Sequence, residues 1–222
     1  SYPEPIESMF NIGVLHTGLG GMGGHANYAP CALDDLVNKG YDYWALGHVH
    51  QGGILHERPH VVFPGNLQGR HIRETGPKGA CLVTVAEREV ADVGTLHSDV
   101  VRWVSILVTV EGCERTVDVV DRVHEAIEET VARDADGRLL ACRLQIEGRT
   151  GIHAQLLASR EHLLAEARAA ALGLGEENAW VERVIISTEP ICDQPMPPGR
   201  EDALGYLQRF SEDPTEIGAV LE

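Results

Sequence analysis

His16, His48 and His50 carry the most evident chemistry in this 222-residue chain. His16 closes the apolar run Asn11–His16, NIGVLH. His48 and His50 lie two apart after Tyr41–Leu46, in Gly47-His48-Val49-His50. Both runs read as short strands, and strand ends in α/β folds open onto ligand crevices. Three imidazoles are therefore expected to meet at one crevice. Neutral imidazole is the commonest side-chain ligand for transition metals, so a metal centre is the chemistry indicated. The remaining eight of the eleven histidines, His25, His56, His60, His71, His97, His124, His153 and His162, read as solvated or structural groups.

A second group is basic. The formal net charge is −16, which disfavours a diffuse electrostatic grip on nucleic acid. The surplus is uneven: −4 over residues 1–98 and −12 over 99–222. Within 58–78, Arg58, Arg70, Arg73 and Lys78 face Glu74 alone, a local balance of +3. In Pro64–Gly79 this offers cationic donors at Arg70, Arg73 and Lys78 and amides at Asn66 and Gln68, a set suited to phosphate contact. A turn-rich connection with its cations paired or solvated is the competing reading.

These residues need elements to position them. Strands are expected at 11–16, 41–46, 60–63 and 80–86, with a short helix at Cys31–Lys39 closed by Gly40. Beyond residue 99 the texture changes to strand 101–110, helix 116–133, strand 139–146, one long helix 152–172 stopped by Gly173, and strand 180–187. That β-α-β-α-β order predicts a compact α/β layer. Trp103 and Trp180 are expected in its core. The acidic run Asp118, Asp121, Glu125, Glu128 and Glu129 is expected to be a solvated face. Residues 190–200 read as a proline-rich linker before an amphipathic segment with Leu204, Leu207 and Phe210 on one face.

With 43% apolar and 23% charged residues the chain has the composition of a folded protein. No run of 18 apolar residues predicts a membrane span, and no signal peptide is visible. The five scattered cysteines form no Cys-x-x-Cys pair and read as free thiols, so a cytoplasmic location is expected.

Gly47-His48-Val49-His50 resembles the GHxH box of calcineurin-like metallophosphoesterases. Residues 14–17 (VLHT), 28–31 (YAPC), 40–50 (GYDYWALGHVH), 64–70 (PGNLQGR) and 74–79 (ETGPKG) occur in the order seen in SbcD-type DNA repair exonucleases, with the nearest likeness to their YhaO-like branch. The motifs cover about residues 10–86; the following segment is similar in element order and in Val101-Arg102-Trp103 and Gly148-Arg149-Thr150. The resemblance implies an α/β fold: the C-terminal half of a metallophosphoesterase β-sandwich in residues 1–98, an α/β capping domain in 99–190, and a linker with a helical tail in 191–222. It implies a two-metal phosphodiesterase, manganese-dependent or using magnesium or zinc. His16 and His48 would bind one ion and His50 the other.

The family site also uses an Asp-x-His, a bridging Asp and an Asn-His pair that supplies the leaving-group histidine. None of these occurs in the chain. The chain is therefore expected to be the C-terminal portion of a longer nuclease, with little or no activity alone. The family's partners would be DNA, a second copy, and an SbcC-like ATPase whose coiled coil receives residues 201–222. Alternatives are a metallophosphoesterase with another phosphoester substrate, or a non-catalytic partner-binding fragment.

Overall fold

The computed structural model describes residues 2–20 and 29–191. Three sheets follow one another along these residues, giving the expected mixed α/β fold. The first contains β1 (Ile12–His16), β2 (Tyr43–Gly47), β3 (Gly53–Glu57) and β4 (His60–Phe63), in the order β1-β2-β4-β3. β1, β2 and β4 are parallel, and β3 turns back antiparallel to β4. The helix α1 (Leu33–Val37) lies between β1 and β2 in the chain.

Trp44 on β2 organises this sheet. It is 1% exposed, and its indole N–H donates to the Leu36 carbonyl at 3.0 Å, tying α1 to the sheet. Trp44 pairs with Gly13 in register, and a Cβ at Gly13 would come within 2.3 Å of the indole ring. Only a residue without a side chain lets β1 lie beside β2 here. Val61, Phe63 and Leu46 complete the core beneath it.

β5 (Gly79–Ala86) and β6 (Glu89–His97) form a separate hairpin. Its two-residue loop, Glu87 and Arg88, has φ of +50° and +65°. Two positive φ values are what a type I′ turn requires, because its twist matches that of the strands. The Arg88 guanidinium anchors the tip to the Glu7 and Met9 carbonyls.

The third sheet contains β7 (Val101–Thr109), β8 (Leu139–Thr150) and β9 (Ala179–Pro190), in that order. β7 and β8 are parallel and joined by α2 (Thr116–Asp134). α3 (His153–Ala158) and α4 (Arg160–Gly173) connect β8 to β9. Val119, Val123 and Ile127 of α2 and Leu163, Ala167 and Ala171 of α4 are buried against Leu140, Leu144 and Ile146 of β8. This is the apolar stripe that the 3.6-residue period of α2 calls for. By their contacts the residues divide into Ser1–Glu189 and Pro190–Glu222. The position 98/99 falls between β6 and β7, and the amphipathic segment expected at 201–210 lies outside the described residues.

Several expectations need correction. β3 and β6 had no counterpart in the sequence reading. The long helix expected at 152–172 is broken at Ser159, whose backbone (φ −100°, ψ 15°) ends α3 and starts α4. Its carbonyl accepts from Leu163 while its amide donates back to Gln155 and Leu156, so both helices are satisfied at one residue. The positive-φ stop is Gly175 (φ +108°), since Gly173 still lies in α4. Trp180 is 48% exposed, an edge-on neighbour of Trp103 at 6.4 Å and not a core residue. Among the described residues no helix is long and apolar enough to cross a membrane.

Candidate metal centre and phosphate loop

The three parallel strands deliver their C-terminal ends to one region. β1 ends in His16, β2 runs into His48-Val49-His50, and β4 runs into the loop 64–78. The register pairs His16 with Gly47, and the Thr17 amide extends the ladder to the Gly47 carbonyl at 3.1 Å. The His16 ring lies across Gly47: a Cβ there would stand 3.0 Å from its Nδ1. The absence of a side chain at Gly47 thus sets the position of the His16 imidazole.

His16 Nε2 lies 3.1 Å from His48 Nδ1, with ring centroids 5.0 Å apart and planes at 80°. His48 holds φ at +103°, a region that L side chains rarely adopt. Such strain costs of order 1–3 kcal/mol and clusters at functional sites. It is the turn that brings the His48 imidazole back toward His16.

The spacing allows a test of fit to a metal. Two nitrogens bound at about 2.1 Å and at right angles lie about 3 Å apart, so the His16–His48 pair has the separation of neighbouring ligands on one ion. The pair does not close a coordination sphere. Among the described residues no group of three or more His, Cys, Asp or Glu side chains is gathered to hold an ion. The residues fit as two ligands of a larger set.

His50 has a different environment. Its Nδ1 lies 2.6 Å from Glu74 Oε1, and Glu74 is 8% exposed. The other Glu74 oxygen accepts from the Arg70 amide at 2.8 Å and from Asn66 Nδ2 at 3.1 Å. Burial by itself would raise the Glu74 carboxyl. The His50 hydrogen bond, the Arg70 amide and the fields of His71 and His50 outweigh it and hold the group at about 2. A carboxylate on one ring nitrogen fixes a histidine's tautomer and makes its other nitrogen the ligating one. Glu74 therefore positions the His50 ring, and Nε2 is the atom that would face an ion.

The loop 64–78 is pinned on both sides. Gln68 donates from Nε2 to the Val101 carbonyl at 2.6 Å and accepts from the Val100 amide at 2.9 Å. Trp103 Nε1 donates to the Gly69 carbonyl, and the Gly76 amide donates to the Trp103 carbonyl. The Asn66 amide group donates to the Gln68 carbonyl and Glu74. The amides of Asn66 and Gln68, expected to face phosphate, spend their hydrogens inside the protein, where they shape the loop. Arg70, Arg73 and Lys78 remain, and with His50 and Glu74 they line a cavity of about 380 Å³. Glu74 is the residue that sequence reasoning missed. Its signals were its place as the lone acid among four cations in residues 58–78 and as the first residue of the motif ETGPKG, neither of which assigned it a contact with His50.

Residues 103–189 match the family described as the middle domain of metallophosphoesterase YhaO. The match covers most of the third sheet and its helices and includes none of His16, His48 and His50. Over 91 residues the chain is 48% identical to an uncharacterized metallophosphoesterase YhaO of Bacillus subtilis (strain 168). That stretch is 40% of this chain and 22% of the relative, so the chain spans about a fifth of the length of the curated protein it matches. The two matches support the metallophosphoesterase family, with the third sheet similar to its YhaO middle domain.

Proposed function

We propose that the chain contributes part of a divalent-metal phosphodiesterase site that acts on DNA. The observation that carries this reading is the His16–His48 pair, 3.1 Å apart at the ends of two parallel strands, with a strained backbone at one partner. His16 and His48 would hold one ion and His50 a second, manganese being the expected metal. Bound ions would supply a polarised phosphoryl oxygen and an activated water. The chain's own residues do the positioning. Glu74 orients His50, and Arg70, Arg73 and Lys78 grip and align the backbone phosphates. The likeness to YhaO adds support for phosphoester hydrolysis. DNA as substrate rests on the cationic loop and the resemblance of residues 10–86 to SbcD-type nucleases.

The test compares duplex DNA cleavage with manganese by the 222-residue chain and by a version extended upstream of Ser1. The chain alone is expected to degrade little or no DNA. The extended protein is expected to cleave, and to lose at least a hundredfold in rate on His48→Ala. An extended protein whose rate is indifferent to His48→Ala contradicts the proposal. A second reading, a non-catalytic binding module, is supported by the place of the YhaO likeness, which lies in the middle domain at residues 103–189. DNA binding without cleavage by the extended protein would select it.

A further inference from the structure

In the third sheet β7 is an outer strand, with β8 on one side. The Val110 amide donates to the Glu147 carbonyl of β8. Even-numbered residues of this strand therefore turn their backbone groups toward β8, and odd-numbered residues turn theirs away. The first odd positions are covered. Gln68 stands in for a peptide group at Val101: its Oε1 accepts from that amide at 3.3 Å and its Nε2 donates to that carbonyl at 2.6 Å. The Gly76 amide donates to the Trp103 carbonyl at 3.0 Å. Arg122 closes the far end by donating to the Thr109 carbonyl at 2.7 Å. Between them, among the described residues, the amides and carbonyls of Ser105 and Leu107 have no partner. An open stretch of sheet edge is a template for another strand.

We propose that β7 pairs antiparallel with β7 of a second copy of this chain, across Ser105–Thr109, about a two-fold axis at Leu107. The interface stands apart from the metal site, since none of His16, His48 and His50 lies on this edge.

The strand's complementarity to itself selects this occupant. Ile106 and Val108 are buried in the core, so Ser105, Leu107 and Thr109 share the outer face. Antiparallel pairing about Leu107 sets Leu107 against Leu107 and Ser105 against Thr109. The two Leu107 residues exchange both of their outward backbone hydrogen bonds, as a hydrogen-bonded pair does. Leu107 is 58% exposed, an uncommon position for leucine on a strand, and its side chain is covered by its own copy. Facing serine and threonine hydroxyls hydrogen-bond across strands. The charges also match. Glu111 is exposed beyond Thr109, at one end of the open stretch. Arg133 lies at the other end, where it lines a groove of about 490 Å³ with Trp103 and Ser105 and pairs with its exposed neighbour Asp134. The two-fold axis brings Glu111 of each copy to the Arg133 end of the other. The same patch thus serves both sides, as a closed two-fold interface requires.

Sedimentation equilibrium of the 222-residue chain and of Leu107→Lys tests this, together with amide exchange of the unaltered chain followed by NMR. The chain is expected to dimerise as its concentration rises, and the Ser105 and Leu107 amides are expected to exchange more slowly as the dimer forms. Leu107→Lys is expected to weaken dimerisation by about tenfold or more. Its thermal midpoint is expected to match that of the unaltered chain, because the side chain is exposed. A chain that stays monomeric up to about 1 mM would overturn the proposal. Fast exchange at Ser105 and Leu107 in that monomer would leave the edge to a different protein, and slow exchange would show it covered from within the chain. A dimer in which these amides exchange as in the monomer, or one that Leu107→Lys leaves intact, would place the contact elsewhere and overturn it as well.

Discussion

His16 and Gly47 are register partners on adjacent parallel strands, and the ring of one occupies the space where a side chain of the other would begin. The position of the His16 imidazole, and its approach to His48, is thus set by a glycine that does no chemistry itself.

Gly47→Ala is the first consequence. An added methyl would stand 3.0 Å from His16 Nδ1, so the ring must move by a few tenths of an ångström. The fold is expected to survive, because no backbone atom lies that close. Manganese affinity, measured by calorimetry, is expected to fall about tenfold, as for other changes that misalign a ligating histidine. Unchanged affinity would mean that the ring position is not set here.

His48 carries strain that only a glycine would relieve. His48→Gly and His48→Ala both remove the imidazole and its contact with His16. They differ in what φ of +103° costs the new residue. The glycine variant is expected to be more stable than the alanine variant by about 1 kcal/mol in urea denaturation. Equal stabilities, or alanine the more stable, would show that the backbone is not strained.

Asp99 joins the β6–β7 connection to the third sheet. Its buried carboxylate meets Arg102 Nε at 2.9 Å and Arg138 Nε at 3.1 Å. Burial would raise the Asp99 carboxyl, but the Arg102 hydrogen bonds, the Arg102 charge, the Lys78-region backbone contact and Arg138 together hold it below its ordinary value of 3.8. A group depressed in the folded state stabilises fully above its unfolded value and loses that contribution as pH falls through its folded value. Asp99→Asn is expected to cost about 3 kcal/mol at pH 7, as when one partner of a buried pair is removed. The gap between wild type and variant, read from denaturation midpoints, is expected to shrink below about pH 4. A gap that stays constant down to pH 2 contradicts this role.

Arg70 is exposed on a loop held rigid from both sides, which makes it a fixed point charge for a phosphate. Arg70→Ala is expected to reduce the slope of log affinity against log salt for duplex DNA by about 0.9, with little change in stability. An unaltered slope in the DNA-binding form of the protein would remove Arg70 from the interface.

The parts legible in the sequence were those with local signals. Asn11–His16, Tyr41–Leu46 and His60–Phe63 are apolar runs with turn residues behind them, and β1, β2 and β4 lie there. The valines of α2 at the helical period gave its buried face. β6 was hidden because Glu87-Arg88 makes a type I′ turn without glycine or asparagine, and because the strand is mostly exposed and buries no residue fully. The break at Ser159 was hidden because a single serine within an Ala/Leu run carries no helix-stopping signal. The histidines could be named from their types, yet Glu74 on His50 could not, since that contact spans 24 residues and depends on a loop folding back. The inward-turned amides of Asn66 and Gln68 depend on the same fold-back.

The most direct test is pulsed electron paramagnetic resonance of manganese added to the 222-residue chain. Couplings from imidazole nitrogens are predicted, one of them lost in His16→Ala and another in His48→Ala. A spectrum without nitrogen coupling, or one that both substitutions leave intact, would contradict a metal held between the ends of β1 and β2.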